Sequence, residues 1–333
     1  MRRLMLTAGG AVIAVALVGA ASTGYHITGE IQIGGEGGWD YLTVDSAARR
    51  LYVSHATHVV VVDVDSNKVV GDIPDTPGVH GIAIAPELNR GFISNGRGNT
   101  VTIFDLKTLK ATGSAATGEN PDSIRYDPGS SRVFAFNGRS KSATVIDAKT
   151  GKVAATISLP GKPEFSVADG KGHVYVNVED TGEIAEIDAA KATMTKKYSL
   201  SPCEEPSGLA IDAKNRRLFS VCSNRVMAIS DPDAGKVIAS PAIGAGSDGA
   251  AFDPGTGYAF SSNGDGTLTI VQQTGGKWDV AENVATERGA RTIALDEKTH
   301  KVYLPTAKTA PARSGGGRAT FLPNSFKVLV VGK

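Results

Sequence analysis

Short apolar runs alternate with polar turns along almost the whole chain. After residue 40 the runs lie at 42–44, 50–54, 59–63 and 68–73, and the turns between them are rich in Asp, Asn, Lys and Gly. Runs of this length, rich in Val, Ile, Tyr and Thr and spaced by roughly ten residues, are typical of β-strands. The 3.6-residue periodicity of a helical repeat is absent from them. The pattern therefore predicts an all-β protein.

The same order of four runs recurs along the chain. The seven copies open at Asp40, His80, Asp122, Glu164, Ser207, Asp248 and Arg291, at intervals of about forty-two residues. A fixed period of this length indicates a repeat architecture, and four short strands per copy describe one antiparallel blade. The sequence therefore predicts a seven-bladed β-propeller.

The two ends of the chain complement each other. The seventh copy offers only three runs, the last at 326–331, while a spare run at 25–33 precedes the first copy. An N-terminal outer strand that joins the last blade would pair both orphan edges, which an open array would leave exposed. We therefore expect residues 25–333 to form a closed ring rather than a solenoid.

The first residues predict a signal peptide over 1–22. Arg2 and Arg3 precede an apolar stretch at 11–18, and small residues follow it at 19–22. This order is that of a secretory signal, and the apolar stretch is short for a retained membrane anchor. A twin-arginine export route stays open. We expect a periplasmic or secreted protein without a transmembrane anchor after the signal is removed.

Charge and cysteine content narrow the possible partners. The chain has 35 Lys and Arg against 34 Asp and Glu, so bulk positive charge for nucleic-acid binding is lacking and a nucleic-acid partner is unlikely. The two cysteines, Cys203 and Cys222, lie near the start of one strand and the end of the next in the fifth copy. Antiparallel pairing would bring them together, which predicts a disulfide in an oxidising compartment.

The repeats resemble a known family. The runs at 50–54 and 59–63, and again those at 132–137 and 144–147, look like YVTN β-propeller repeats. The chain is similar to the YncE-like periplasmic proteins and the surface-layer-associated propellers, and more distantly to 6-phosphogluconolactonase-type propellers. Gln272 departs from the pattern, since the third strand of a repeat usually ends in Asp. The resemblance implies the fold and leaves the activity open, because the repeat motif is structural.

One repeat position carries the main candidate chemistry. The innermost strands of a propeller surround a channel, so the residues that open the seven copies should surround one mouth. The carboxylates of this set are Asp40, Asp122, Glu164 and Asp248. They would hold a divalent cation such as Ca²⁺, or His80 and Glu164 would act as acid and base while Arg291 orients an anionic substrate. The alternative is a set of polar strand ends that cap loop amides.

Loops between second and third strands should share this rim. His55 and His58 have a spacing that suits Zn²⁺, and the alternative is a solvated pair of loop histidines. Arg97 and Arg139 occupy matching loops of adjacent blades and are candidates for binding a carboxylate or phosphate. The long insertion at 306–323 is either a lid over the channel, with two arginines above the carboxylates, or a passive connection.

Three functions compete. The first is an exported non-enzymatic binding or scaffolding propeller that holds a protein or small-molecule ligand at its channel mouth and rim. The second is a lactone hydrolase resembling the 6-phosphogluconolactonase-type propellers, with His80, Glu164 and Arg291 in the site. The third is a metal-binding or oxidoreductase-associated propeller. No cofactor motif is present in the sequence, and a divalent cation, Ca²⁺ or Zn²⁺, is the one cofactor that the residues suggest.

Overall fold

The computed structural model describes residues 22–309 and 321–333, and within them the chain forms 28 β-strands and two single-turn 3₁₀-helices. The helices are η1 (Pro86–Leu88) and η2 (Glu179–Thr181). The predicted signal peptide, apart from Ser22, lies outside the described residues. The two arginines of the predicted lid, Arg313 and Arg318, also lie outside them.

The first three blades follow one another along the chain. Blade 1 contains β2 (Leu42–Asp45), β3 (Arg50–His55), β4 (His58–Asp63) and β5 (Lys68–Ile73). Blade 2 contains β6 (Val79–Ala85), β7 (Arg90–Asn95), β8 (Thr100–Asp105) and β9 (Ala111–Ala116). Blade 3 contains β10 (Pro121–Asp127), β11 (Arg132–Asn137), β12 (Ser142–Asp147) and β13 (Val153–Ser158).

The remaining blades repeat this order, and only the last borrows its outer strand from the N-terminus. Blade 4 contains β14 (Pro163–Ala168), β15 (His173–Val178), β16 (Glu183–Asp188) and β17 (Thr193–Ser199). Blade 5 contains β18 (Pro206–Asp212), β19 (Arg217–Cys222), β20 (Met227–Asp231) and β21 (Lys236–Ala239). Blade 6 contains β22 (Ser247–Asp253), β23 (Tyr258–Asn263), β24 (Thr267–Thr274) and β25 (Lys277–Ala285). Blade 7 contains β26 (Ala294–Asp296), β27 (Lys301–Thr306), β28 (Lys327–Gly332) and β1 (His26–Gln32).

Each blade is an antiparallel sheet in which sequential strands are neighbours, and blade 7 has the order β1-β28-β27-β26. The predicted all-β, seven-bladed propeller is therefore confirmed. The strand β1 pairs with β28 in antiparallel register from His26 opposite Gly332 to Gln32 opposite Lys327. Closure of the ring by the N-terminal strand, as the sequence predicts, leaves neither strand with an unpaired inner edge.

Carboxylates set the length of the outer hairpins. Asp63 ends β4 and accepts a hydrogen bond from the Ser66 N–H at 2.7 Å, and Asp147 ends β12 in the same way with Thr150. Side-chain bonds of this kind stabilise a turn in place of further strand pairing. Blade 6 has Gln272 at the corresponding place, and β24 and β25 pair beyond it to a turn at Gly275, whose φ of 59° suits glycine.

The core lies between the blades because successive side chains of a strand face opposite neighbours. In β3, Leu51 and Val53 pack with Tyr303 of blade 7, whereas Tyr52 packs towards Phe104 of blade 2 at a ring distance of 5.9 Å. Each sheet is thus buried on both faces. This explains why the middle strands are nearly continuous apolar runs.

Two further features concern the chain's expected environment. Cys203 and Cys222 form a disulfide within blade 5, with a Cα–Cα distance of 5.4 Å. Across 22–309 and 321–333, no helix combines the length and apolar character that a membrane span requires.

The closing strand supports a testable stability prediction. Ile31 of β1 is 1% exposed and packs into the core between blades 7 and 1, whereas the adjacent Gln32 is exposed. Ile31→Ala is expected to lower the free energy of unfolding by about 2–4 kcal/mol, and Gln32→Ala to change it by less than about 0.5 kcal/mol. Chemical denaturation of both variants measures this. Equal effects of the two changes would contradict the closure.

Candidate functional site

The residues that open the seven repeats lie at one end of the channel. Five of them are the second residue of an innermost strand: His80, Asp122, Glu164, Ser207 and Asp248. Asp40 and Arg291 precede the shorter strands β2 and β26. We call the charged members of this set, together with the neighbouring Lys162 and Glu179, the polar mouth.

Side chains of the second strands tie these positions to the neighbouring blade. In each case a side chain donates a hydrogen bond to the backbone carbonyl of the residue that opens the next repeat. The bonds run from Ser94 to Asp122 at 2.5 Å, from Asn177 to Ser207 at 2.8 Å, and from Ser262 to Arg291 at 2.6 Å. These bonds are buried or partly buried, so they fix the backbone from which the mouth side chains project.

A short contact in the polar mouth joins blades 1 and 2. His80 Nδ1 lies 2.6 Å from Asp40 Oδ2 and 3.6 Å from Asp122 Oδ1. A Cβ atom on Gly96 would come within 2.5 Å of His80 Nε2, so the absence of a side chain there leaves room for the imidazole. One potential ligand atom from each of Asp40, His80 and Asp122 lies within 4.8 Å of the others, which is a spacing that a metal ion can bridge.

The carboxylates are packed more closely than their charges favour. Burial and the charge of Asp40 raise the pKa of Asp122 to about 6, and burial and the charge of Asp122 raise the pKa of Glu164 to about 8. Burial also raises the pKa values of Asp40 and Asp248. Asp122 Oδ1 and Glu164 Oε2 are buried without a hydrogen-bond partner, which is costly for charged groups. The polar mouth therefore holds acceptors with spare capacity.

His80 is held as a cation. Burial by itself would lower the pKa of His80, but the hydrogen bond to Asp40 and the charge of Asp122 outweigh burial and raise this pKa to about 9. The imidazolium donates its Nδ1–H to Asp40 and attracts Asp122 by charge alone, since 3.6 Å is too long for a hydrogen bond. In this protonation state His80 neutralises part of the carboxylate charge.

The predicted catalytic residues lie at this mouth but enter separate ion pairs. His80 pairs with Asp40, Arg291 Nη1 lies 3.0 Å from Asp248 Oδ2, and Glu164 Oε2 lies 3.6 Å from Lys162 Nζ. Within the described residues, no hydrogen bond joins His80, Glu164 and Arg291 to one another. The arrangement is a set of charge pairs rather than a linked acid–base relay.

Sequence reasoning missed Lys162. Lys162 Nζ contacts Glu179 as well as Glu164, and both contacts raise the pKa of the amine although burial opposes them. A signal was present in the repeats. The positions equivalent to Lys162 in the other copies are Gly38, Gly78, Asn120, Glu205, Gly246 and Gly289, so a lysine is exceptional there.

Of the two histidines proposed as metal ligands, His55 is buried and His58 is partly exposed. His55 is 1% exposed and stacks on Phe326 at 4.4 Å, and burial together with His58 lowers its pKa to about 4. His58 is half-buried and its Nε2 lies 3.7 Å from Asp72. The expectation of two solvated loop histidines is therefore wrong for His55. In the part of the chain that the structure describes, no third ligand completes a metal cluster with the pair.

Arg97 and Arg139, the candidate anion-binding residues, lie in equivalent loops of adjacent blades. The backbone N–H of Arg97 donates to Pro77 and that of Arg139 to Glu119, both at 3.2 Å, so the two loops are equivalent in adjacent blades. Both arginines are exposed, and neither forms an ion pair within 22–309 or 321–333. Their role in anion binding stays a prediction.

An aromatic contact closes the channel next to the polar mouth. The rings of Tyr41 and Phe165 meet edge to face at 4.9 Å. They belong to blades 1 and 4, which are three blades apart in a ring of seven, so the contact crosses the channel. The other five copies have Gly81, Ser123, Gly208, Gly249 and Thr292 at this repeat position. The two aromatic residues are therefore visible in the sequence as exceptions at this repeat position, although their contact was not predicted.

The raised pKa values predict how stability depends on pH. In the folded state the pKa values of Glu164 and His80 lie above their ordinary values of 4.5 and 6.5, so the folded chain binds more protons than the unfolded chain. Both contributions are present at low pH and are lost as pH rises through about 8 and 9. In metal-free buffer, the Glu164 contribution to the free energy of unfolding should fall between about pH 4.5 and 8 and the His80 contribution between about pH 6.5 and 9.

The substitution Glu164→Gln should flatten that fall. It removes a buried charge, and we expect the variant to be more stable than the wild type at pH 9 by about 1 kcal/mol or more. Denaturant unfolding at a series of pH values measures the effect. The matched control is Glu36→Gln, on the exposed surface. If the stability of the wild type and of Glu164→Gln depended on pH in the same way, the pKa of Glu164 would not be raised by folding, and the prediction would be wrong.

Comparisons with known proteins bear on the fold. No protein-family model matches the chain, and no curated protein matches it. Among solved structures, the chain is similar to a chain of Kuenenia stuttgartiensis hydrazine synthase, with a TM-score of 0.68 and 15% sequence identity. The match covers 86% of this chain and 95% of that chain. At this identity the likeness supports the propeller fold and carries nothing about activity.

Proposed function

We propose that this chain is an exported, non-enzymatic binding propeller of the YVTN-repeat kind whose polar mouth binds a divalent cation. The observation that carries the proposal is the pair of buried carboxylate oxygens, on Asp122 and Glu164, that have no hydrogen-bond partner. Buried charges are normally paired or coordinate metals. His80 and Lys162 lie 3.6 Å from these two oxygens, which is too far for a hydrogen bond, and a metal ion would give Asp122 a direct bond.

The balance of charges supports a cation with two charges. The carboxylates of the polar mouth are Asp40, Asp122, Glu164, Glu179 and Asp248, and its cations are His80, Lys162 and Arg291. Five carboxylates against three cations leave an excess of two negative charges when all are ionised. A bound divalent ion would offset that excess and lower the raised pKa values of the carboxyl groups.

The donor set favours a metal that accepts nitrogen as well as oxygen. Asp40 and Asp122 offer carboxylate oxygens and His80 offers an imidazole nitrogen, a combination that suits Zn²⁺ better than Ca²⁺. His80 must first lose its proton, so affinity should rise with pH and binding should release protons. Ca²⁺ would instead draw on the carboxylates alone.

Export is proposed from residues 1–22 and is supported by the disulfide. A Cys203–Cys222 bridge persists in an oxidising compartment and is uncommon in cytosolic proteins. We assign the chain to the periplasm or the exterior on these grounds. The resemblance of its repeats to the YncE-like periplasmic proteins agrees with that assignment.

The hydrolase alternative has less support. A relay needs its base within hydrogen-bond reach of its partner groups. His80 is instead occupied by Asp40 and lies near Asp122, while Arg291 is half exposed and paired with Asp248. A protein partner at the rim is compatible with the proposal, since Arg97 and Arg139 are exposed and form no ion pair within the residues that the structure describes.

Metal titration tests the proposal. Chelator-treated protein is titrated with Zn²⁺ and with Ca²⁺ by calorimetry, and thermal stability is recorded in parallel. We expect Zn²⁺ to bind at one site and to raise thermal stability, and Asp122→Asn to weaken binding at least about tenfold through loss of one charged ligand. The control is Asp75→Asn, an exposed carboxylate outside the mouth. Absence of binding by the wild type would overturn the proposal, and loss of binding on His58→Ala alone would move the site to the rim.

Export is tested independently of the ligand. Residues 1–25 are fused to a reporter that is active only after leaving the cytoplasm. We expect activity outside the cytoplasm, and loss of it when the apolar stretch 11–18 is interrupted by two aspartates, because the signal must be apolar there. A variant in which Arg2 and Arg3 become lysines separates the twin-arginine route from the general one. Reporter retained inside by the unaltered segment would contradict export.

A further inference from the structure

On the far side of the Tyr41–Phe165 contact, the channel opens into a cavity of about 250 Å³. The inner strands of all seven blades line this channel cavity, and most of the side chains that line it are apolar, with Ile82, Leu209 and Ile293 among them. Two charged residues line it. Arg125 lies within β10, and Glu297 follows the end of β26.

Arg125 stands out among the repeats. The equivalent positions of the other copies are Thr43, Ala83, Val167, Ala210, Ala251 and Ala294. Six blades therefore fill this part of the inner strand with a small or apolar side chain, and the fold does not require a charge there. A guanidinium in the channel is a property of this chain rather than of the blade.

The guanidinium is held in place but is not neutralised. Its Nε and one terminal nitrogen donate to the Ser166 carbonyl at 3.0 and 2.8 Å, and its carbon lies 5.4 Å from the centre of the Phe165 ring. These contacts use two of the five N–H donors of an arginine. In the described part of the chain no Asp or Glu forms an ion pair with Arg125. Burial lowers its pKa to about 10, which still leaves it charged at neutral pH.

A fixed cation without an ion-pair partner, at the edge of a cavity lined largely by apolar side chains, is the arrangement that recognises an anion with an apolar body. We propose that the channel cavity binds a small monocarboxylate, whose carboxylate accepts hydrogen bonds from Arg125 and whose hydrocarbon part packs against the apolar side chains of the lining. The ligand class follows from charge and size. One guanidinium offsets one negative charge, and Glu297 disfavours a second one. About 250 Å³ is below the range of about 300–1,000 Å³ usual for drug-sized ligands.

The channel cavity is separated from the polar mouth by two aromatic side chains. Tyr41 and Phe165 lie between the polar mouth and the channel cavity, and Arg125 shares no ion pair with any residue of the mouth. A cation can therefore bind at one end of the channel whether or not a carboxylate binds at the other.

The test compares acids with their neutral amides. Chelator-treated protein is titrated with benzoate and hexanoate, and with benzamide and hexanamide, by calorimetry or ligand-observed NMR. We expect at least one acid to bind about tenfold to a hundredfold more tightly than its amide, because hydrogen bonds to a charged donor are stronger than neutral ones. Arg125→Met keeps the apolar stem and should abolish that preference. The matched control, Arg139→Met at the exposed rim, should keep it.

Further variants keep the test decisive. Arg125→Lys retains the charge without the planar fork, so it should retain part of the preference even if Arg125→Met does not fold. Carboxylate binding should be the same with and without Zn²⁺ in the buffer, which separates a failure here from a failure of the metal site. Equal affinity of the wild type for acid and amide, no binding of either, or undiminished acid binding by Arg125→Met would each overturn the proposal.

Discussion

Pairing of the first strand with the last is the constraint on which the rest of this structure depends. An open array of blades would leave the edge of blade 7 unpaired and would allow the inner strands to move apart. The β1–β28 ladder instead fixes the number of blades and the width of the channel. Residues from one repeat position must then share one mouth, even when their charges repel. The unusual electrostatics of this protein are thus a consequence of its closure.

The channel separates charges of opposite sign along its length. Carboxylates crowd the polar mouth, where burial and mutual repulsion raise the pKa values of Asp122 and Glu164. Beyond the Tyr41–Phe165 contact, Arg125 lines the channel cavity without an ion-pair partner among the described residues. Our proposals place a cation at the mouth and an anion in the cavity.

Much of this could be read from the sequence, because a repeat position specifies a place around an axis. The seven blades, the closing strand and the membership of the polar mouth follow from that relation. The pairing of His80 with Asp40 does not follow from it, because the side-chain conformations decide which charged groups come into contact. The burial of His55 could not be predicted either, because Phe326, which stacks on it, comes from the other end of the chain. Lys162, Tyr41 and Arg125 stand at repeat positions where most of the other copies have small residues.

The most direct measurement of the central claim is crystallographic. Crystals of the mature chain, grown without metal and then soaked in Zn²⁺, would be measured at the zinc absorption edge. The account predicts a seven-bladed ring with one anomalous peak at coordinating distance from Asp40, His80 and Asp122. A closed ring without a peak at that position, or with its zinc beside His58 instead, would contradict the account.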